Sequence, residues 1–509
     1  MTASQRNLPL PYFYTLLVTL AIFALAFNRF SLTEADNDLW GHLKFGELIW
    51  QEKALPETNS FAYTTPDHPW FNHEWLTEVI FYLIYDAFDS TGLLVFKLMI
   101  GWTIIAVLFN IYWRREKNII PLFIVLMLAT PVMAPGFLCR PHLLTFLFLS
   151  FLLLILYNYF DGKKGFLLCL PPLMMVWANS HGGFLAGLGL LGVVALFEWG
   201  KGLFNGGNFD WWLPGMFILS ALATVINPHG FDLQIFLYQS LSQTRNITEW
   251  DSINLFDVSH IEYKILAGLF FILLILPGRK RGWEILLITL TLVYGFKHQR
   301  HSVLAAIVMV PFVSLRLAEI FRMINFSSIR ITLPTHLILQ TSVLIMSVIF
   351  MASGVNTYQV AQFKIKVLLK NHPVYAVRFM KENNINGNIL VPFDWGEYLI
   401  WHLPDSRVSV DGRFRTAYPQ EMMDRNKNFT AQKPGAMAIL DQYPTDLILV
   451  RNYYKTGSQL TSNKNWVRLH EDPVATLYIR KSDPPVGFYK RFLDKEFIDN
   501  LSPISSNFP

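Results

Sequence analysis

Cysteine is nearly absent. Cys139 and Cys169 are the only two in 509 residues, too few for a disulfide framework or a cysteine-rich metal centre. Charge is scarce as well. Only 16% of residues are Asp, Glu, Lys or Arg, against about a quarter in an ordinary soluble domain, so a cytosolic enzyme is a poor fit. The formal net charge is +5, but no basic stripe interleaved with aromatics occurs, which argues against a nucleic-acid partner. No repeat of fixed period and no low-complexity tract interrupts the chain, and no His-x-x-x-His pair marks a helical metal site.

Hydrophobic residues make up 52% of the chain, with 15 Trp and 20 Tyr; mean hydropathy is +0.33. A spanning helix needs roughly 20 apolar residues, and about eleven apolar runs fall within residues 1–354. They lie near 11–30, 92–113, 118–134, 142–160, 165–179, 182–198, 211–226, 263–277, 283–296, 302–315 and 333–353. Ala24-Leu25-Ala26 could serve a signal peptidase, but polar motifs follow so closely that an uncleaved anchor is the better reading. With the N-terminus inside, Arg6, Arg114, Arg115, Lys117, Lys163, Lys164, Lys201, Arg279, Lys280, Arg281, Arg316, Arg322 and Arg330 share the cytoplasmic face. The opposite loops hold fewer: Lys44, Lys53, Arg140, Arg245, Lys297 and Arg300. This asymmetry is the positive-inside pattern. The chain therefore reads as a polytopic α-helical membrane protein, with residues from about 355 on the outer side.

The first outer loop, 31–91, is long. Its segment 73–90 begins polar and turns apolar, and as a span it would break the charge alternation, so it reads as an amphipathic helix on the outer surface. Residues 355–482 differ in kind. A helix ending near Glu382 and a turn at Asn386-Gly387 precede short β-branched runs at Asn388–Val391, Arg407–Val410, Asp446–Val450, Trp466–Leu469 and Thr476–Ile479. They predict a small extracytoplasmic α/β domain, followed by an irregular tail, 483–509.

Polar residues gather at the outer helix ends. Seven of the 13 histidines, His42, His73, His142, His181, His229, His298 and His301, fall there, and the cytoplasmic turns contain none. Ionisable groups at a bundle mouth are costly unless they face protein, water or ligand. The clustering points to a polar chamber open to the outside, although any single histidine is explained equally well as a helix cap or an interfacial residue. Asp36 and Asp38, just past the first span, are candidates for a general base or for holding a divalent cation; Glu74 is the natural second carboxylate. Their bland alternatives are a helix N-cap and a first-turn acid. Arg140, Lys297 and Arg300 are candidates for a phosphate, or for snorkelling to headgroups. His42, His73, His298 and His301 could ligate a metal with the carboxylates. In the outer domain Trp395, Asp411 and Arg413 are candidates for the acceptor side, or for a structural turn with its own ion pair.

Asp36-Asn37-Asp38-Leu39-Trp40-Gly41-His42-Leu43 and Pro56–Thr64 resemble a group of uncharacterised bacterial membrane proteins. Asn72-His73-Glu74-Trp75-Leu76 and Asp394-Trp395-Gly396-Glu397-Tyr398-Leu399 do so too. The layout (one span, an acidic outer loop, many spans, an outer C-terminal domain) resembles the GT-C superfamily of integral membrane glycosyltransferases, which includes protein O-mannosyltransferases and aminoarabinose transferases. The resemblance implies a sugar taken from a polyprenyl-phosphate carrier at the outer face of the bacterial cytoplasmic membrane, with a glycan, lipid or protein acceptor. It implies the catalytic acid position at Asp36 or Asp38, with Asp38 favoured, and a second acidic position at Glu74. His142 and His181 would accompany the donor phosphate site. The histidine wealth departs from the better-known transferases. Alternatives are transfer of a whole lipid-linked glycan, a transporter or flippase of envelope lipids, and a structural subunit of an envelope assembly.

Overall fold

In the computed structural model of the chain, residues 10–204, 210–241, 248–323, 333–454, 456–481, 490, 493 and 502–508 are described. Arg6, Arg245, Arg330 and most of the 483–509 tail lie outside them. The chain divides into two compact units, 1–33 with 94–363, and 34–93 with 364–509.

The first unit is helical. Each of the eleven apolar runs forms a helix or part of one, because a buried or lipid-facing backbone must satisfy its own hydrogen bonds. Among the described residues, six helices of the chain are long and apolar enough to cross a membrane. Several of the remaining apolar runs form helices of only 11 to 16 residues, such as Leu170–Ser180 and Gly282–Lys297. One helix, Asp232–Leu241, had no counterpart among the runs. Ser302–Met323 is largely enclosed, packing against Ile120–Met133, His142–Phe160, Ile261–Ile275 and Gly282–Lys297. Its Arg316 is buried and donates to the carbonyls of Leu276 at 3.0 Å and Pro277 at 2.9 Å. Those are carbonyls the helix end leaves without an intrahelical donor. Leu333–Val360 pairs along Leu10–Phe30 and exposes Leu337, Ile338, Ile345, Val348 and Ile349, a surface suited to lipid. Ala24, Leu25 and Ala26 are buried inside the first helix. Lys97 is buried too, and its ammonium donates to the carbonyl of Leu32.

The helix Trp75–Trp113 is broken at Asp89, whose φ is 58°. The break falls between the segment read as a surface helix and the run read as a span.

The second unit joins stretches far apart in sequence. Its five-stranded sheet has strands β1 (Asn388–Leu390), β2 (Arg407–Val408), β3 (Leu447–Arg451), β4 (Trp466–Glu471) and β5 (Ala475–Arg480) in the order β2-β1-β3-β5-β4. The first three are parallel and β5 runs antiparallel to β3 and β4. All five sit where the β-branched runs stand. The loop 31–91 is stitched to this sheet. Val408 donates its amide to Phe61 at 3.0 Å, Thr64 its hydroxyl to Ser409 at 2.6 Å, and Asn59 its amide group to Ala417 at 2.9 Å.

A second seam ties three segments together. The amides of Ala35, Val367 and Phe508 donate to the carbonyls of Lys366, Ser506 and Ile365 at 2.7–2.8 Å. The Phe508 ring, 2% exposed, packs against Trp40 and Tyr85, with centroids 5.1 and 5.8 Å away. Emptying that space removes aromatic burial and leaves a cavity, so Phe508→Ala should cost about 3–5 kcal/mol. Thermal unfolding of the full chain checks this, and an unchanged melting temperature would contradict the packing role.

Candidate functional site

Asp36 and Asp38 open the helix Leu39–Glu52. The Asp36 carboxylate accepts the amide of Asp38 at 3.0 Å, a turn that sets Asp38 at the helix N-terminus. There Asp38 makes no side-chain capping bond, so its carboxylate is directed elsewhere. One turn on, the buried imidazole of His42 meets Glu78 at 3.1 Å. The other Glu78 oxygen accepts the amide of Asn72 at 2.6 Å, and Asn72 in turn accepts the backbone amide of Glu74 at 3.0 Å. His73 lies 3.7 Å from Glu74. His42, Glu74 and Glu78 each offer one donor atom, all within 4.8 Å of one another. Burial opposes a charge on His42, but the bond to Glu78 and the charges of Glu74, Glu78 and Asp38 outweigh it and raise its pKa.

A further acid enters from the helix Phe393–His402. Glu397 is 3% exposed and its Oε2 has no hydrogen-bond partner. Its carboxyl is wedged where side chains at Gly41 and Gly412 would stand, and Asp38 Oδ1 reaches the same place beside Gly412. Burial, followed by the negative charges of Asp38 and Asp411, holds Glu397 well above the usual carboxylate range.

Trp395, Asp411 and Arg413 are all interior, at 0, 0 and 9% exposure. The Asp411 carboxylate takes Arg413 Nε at 2.9 Å and Nη2 at 2.6 Å, and also the Tyr418 hydroxyl at 2.6 Å. The guanidinium sits over the rings of Trp70 at 4.4 Å and Phe45 at 4.8 Å, and also donates to Asn59. Burial disfavours the cation, but Asp411 and its neighbours raise the Arg413 pKa. Trp395 donates to the Asn371 carbonyl at 2.7 Å. This geometry is that of a structural turn with its own ion pair.

The donor-site candidates belong to the first unit and form two groups. Arg140 and Arg300 share Glu249, at 3.1 and 3.6 Å. Arg300 also lies over Trp250, 5.3 Å from the ring centroid, and His298 Nδ1 bonds the Trp250 carbonyl at 2.8 Å. His301 stacks edge-on against Trp250 and His298. In the second group the rings of His142 and His181 stand 6.4 Å apart. His142 bonds the Gly136 carbonyl at 2.7 Å, while His181 meets Thr145 and the Gly183 amide. Lys297 is exposed at the end of its helix.

Glu78 and Glu397 were not among the residues picked from the sequence. Glu78 carried a signal, since it stands four residues after Glu74 and so on the same helix face. Glu397 stood inside the motif Asp394–Leu399, but only the approach of Gly41 and Gly412 brings it toward Asp38.

No family model matches the chain, and no curated protein matches it. Solved structures do. ArnT of Cupriavidus metallidurans bound to undecaprenyl phosphate aligns with TM-score 0.54 and 11% identity, over 91% of this chain and 97% of that one. The Archaeoglobus fulgidus oligosaccharyltransferase in its apo form gives 0.53 and 9%, over 90% and 71%. The same archaeal enzyme, AglB, with an inhibitory peptide and a dolichol-phosphate gives 0.52 and 9%, over 86% and 69%.

Two predictions follow from the geometry. Replacing Arg413 by Met leaves Asp411 buried without its cation, so stability should fall by about 3–5 kcal/mol; unfolding at pH 7 checks it, and an unchanged midpoint contradicts it. His42 has a raised folded-state pKa, so its pairing with Glu78 stabilises fully below the unfolded value of 6.5 and fades as pH rises through the folded value. The melting-temperature gap between the wild type and His42→Gln should therefore be widest near pH 6 and narrow in alkali, whereas a gap that widens with pH would refute the pairing. Taken with the six apolar helices and the mixed sheet, the structural matches show that this chain has a GT-C-like fold.

Proposed function

We propose that this chain is a multi-pass glycosyltransferase of the bacterial cytoplasmic membrane that moves a sugar from a polyprenyl-phosphate-linked donor to an acceptor hydroxyl at the outer face. One observation carries the reading: within a GT-C-like fold, the first outer loop presents Asp38 at a helix start beside a buried acid and histidine cluster. Asp38 takes the proton of the acceptor hydroxyl. The oxygen attacks the anomeric carbon, the bond from that carbon to the phosphate oxygen breaks, and its electron pair leaves with the phosphate. General-base assistance of this kind contributes about 10²–10⁴-fold.

Charge develops on the leaving phosphate, and fixed cations stabilise it. In this reading Arg140 and Arg300 receive the donor phosphate, since two guanidiniums on one carboxylate retain a net positive charge. His42, Glu74 and Glu78 fit a divalent cation, with one imidazole nitrogen and two carboxylates close together. Such an ion would supply further positive charge to the phosphate. Asp36 orients Asp38 through its amide rather than reacting. The spans number about eleven, with the N-terminus cytoplasmic and the unit formed by 34–93 and 364–509 on the outer side.

The purified full chain, incubated with a panel of undecaprenyl-phosphate-linked sugars and membrane-lipid acceptors, should release undecaprenyl phosphate. Asp38→Asn should lower that rate by about 100-fold or more while the variant still folds cooperatively. Full activity in that variant would remove Asp38 from the chemistry.

A further inference from the structure

The antiparallel half of the sheet, β3, β5 and β4, carries a cleft of about 440 Å³ on one face. Val450 of β3 stands opposite Thr476 of β5, and Tyr478 of β5 opposite Arg468 of β4. Opposed residues share a face, and so do residues two apart in a strand. Arg468 and Glu471 are three apart and in a regular strand would face opposite ways. A register shift between Arg468 and His470 adds one residue, as a bulge does. Glu471 therefore comes to stand opposite Thr476, on the same face as Arg468, and the two exposed side chains form an ion pair there.

The floor of the cleft is polar and fixed. The Thr476 hydroxyl donates to Asn452 Oδ1 at 2.7 Å, and the Tyr478 hydroxyl donates to the Gly457 carbonyl at 3.1 Å. One wall is aromatic. Tyr453 is 74% exposed, and its ring meets Tyr454 edge-on with centroids 5.0 Å apart. The volume falls within the range of ligand pockets, roughly 300–1,000 Å³.

The lining chemistry selects the occupant. Both arginines of the cleft have their own carboxylates, Arg451 with Asp394 and Arg468 with Glu471. An anion would have to compete with those carboxylates for its cations. A purely apolar ligand would strip water from the ion pair and the floor without replacing its hydrogen bonds. A pyranose suits both surfaces. Its C–H face is apolar and lies flat on an aromatic ring, while its hydroxyls donate to a carboxylate and accept from a guanidinium. We propose that this cleft binds a neutral glycan, with a sugar ring on Tyr453 and its hydroxyls shared between Arg468 and Glu471. In the proposed reaction that glycan is part of the acceptor, an assignment that rests on the transferase reading, whereas the binding itself does not.

Saturation-transfer NMR on the full chain, in a zwitterionic detergent without a sugar headgroup, tests it. The probes are maltotriose, cellotriose and chitotriose, with glucose 6-phosphate as the anionic control. At least one trisaccharide should receive saturation at its ring C–H protons. Y453A should weaken that binding about tenfold, Y453F should retain it, and R468L, at a second exposed position, should weaken it as well. Wild type that binds none of the three trisaccharides would overturn the proposal. So would tighter binding of glucose 6-phosphate, or undiminished binding in Y453A and R468L. Should the chain transfer no sugar, the transferase reading fails while the titrations still decide whether the cleft holds a glycan.

Discussion

A guanidinium sealed among aromatic rings must keep its carboxylate, and Arg413 with Asp411 is that pair here. Desolvating both ions costs several kcal/mol each, and the arrangement offsets it with two charge-assisted bonds, a phenol on the same carboxylate and ring faces under the cation. Phe45, Phe61 and Trp70 come from the segment 34–93, whereas Asp411, Arg413 and Tyr418 come from the far end of the chain. The pair therefore does more than complete a turn. It fastens residues more than 350 positions apart (Asn59 and Arg413 are separated by 354) and makes the 34–93 segment one body with the sheet.

Because of that fastening, the helix opened by Asp38 cannot move independently of the helix that bears Glu397. Gly41 and Gly412 leave the space that the Glu397 carboxyl fills, and Asp38 Oδ1 reaches the same place beside Gly412. Behind them Trp40 is fully buried against His372, Tyr398 and Phe508. A carboxylate held by packing on both sides of its helix start is preorganised, which is what proton transfer in a reaction needs. The same closeness sets negative charge beside His42 and Arg413.

Much of this was legible in the residues. The eleven apolar runs each became helical and the five β-branched runs became strands, because hydrophobic period and β-branching act locally. Asp36 and Asp38 at the start of a helix also follow from local chemistry. What pattern could not reveal is long-range. Asp411, Arg413 and Trp395 read either as acceptor-side groups or as a structural turn with its own ion pair; their burial was not legible, since the rings that enclose Arg413 lie in a segment with no periodic relation to it. The boundary near residue 354 likewise separated two stretches that backbone hydrogen bonds join at Phe61–Val408 and Ala35–Lys366. Span counting met a physical limit too: helices such as Leu170–Ser180 and Trp212–Ala223 are shorter than a bilayer requires.

The most direct measurement is an experimental structure of the full chain with an undecaprenyl-phosphate-linked sugar bound. The account predicts the anomeric carbon facing the Asp38 carboxylate across room for one hydroxyl. A donor seated with its sugar remote from Asp38 would contradict it.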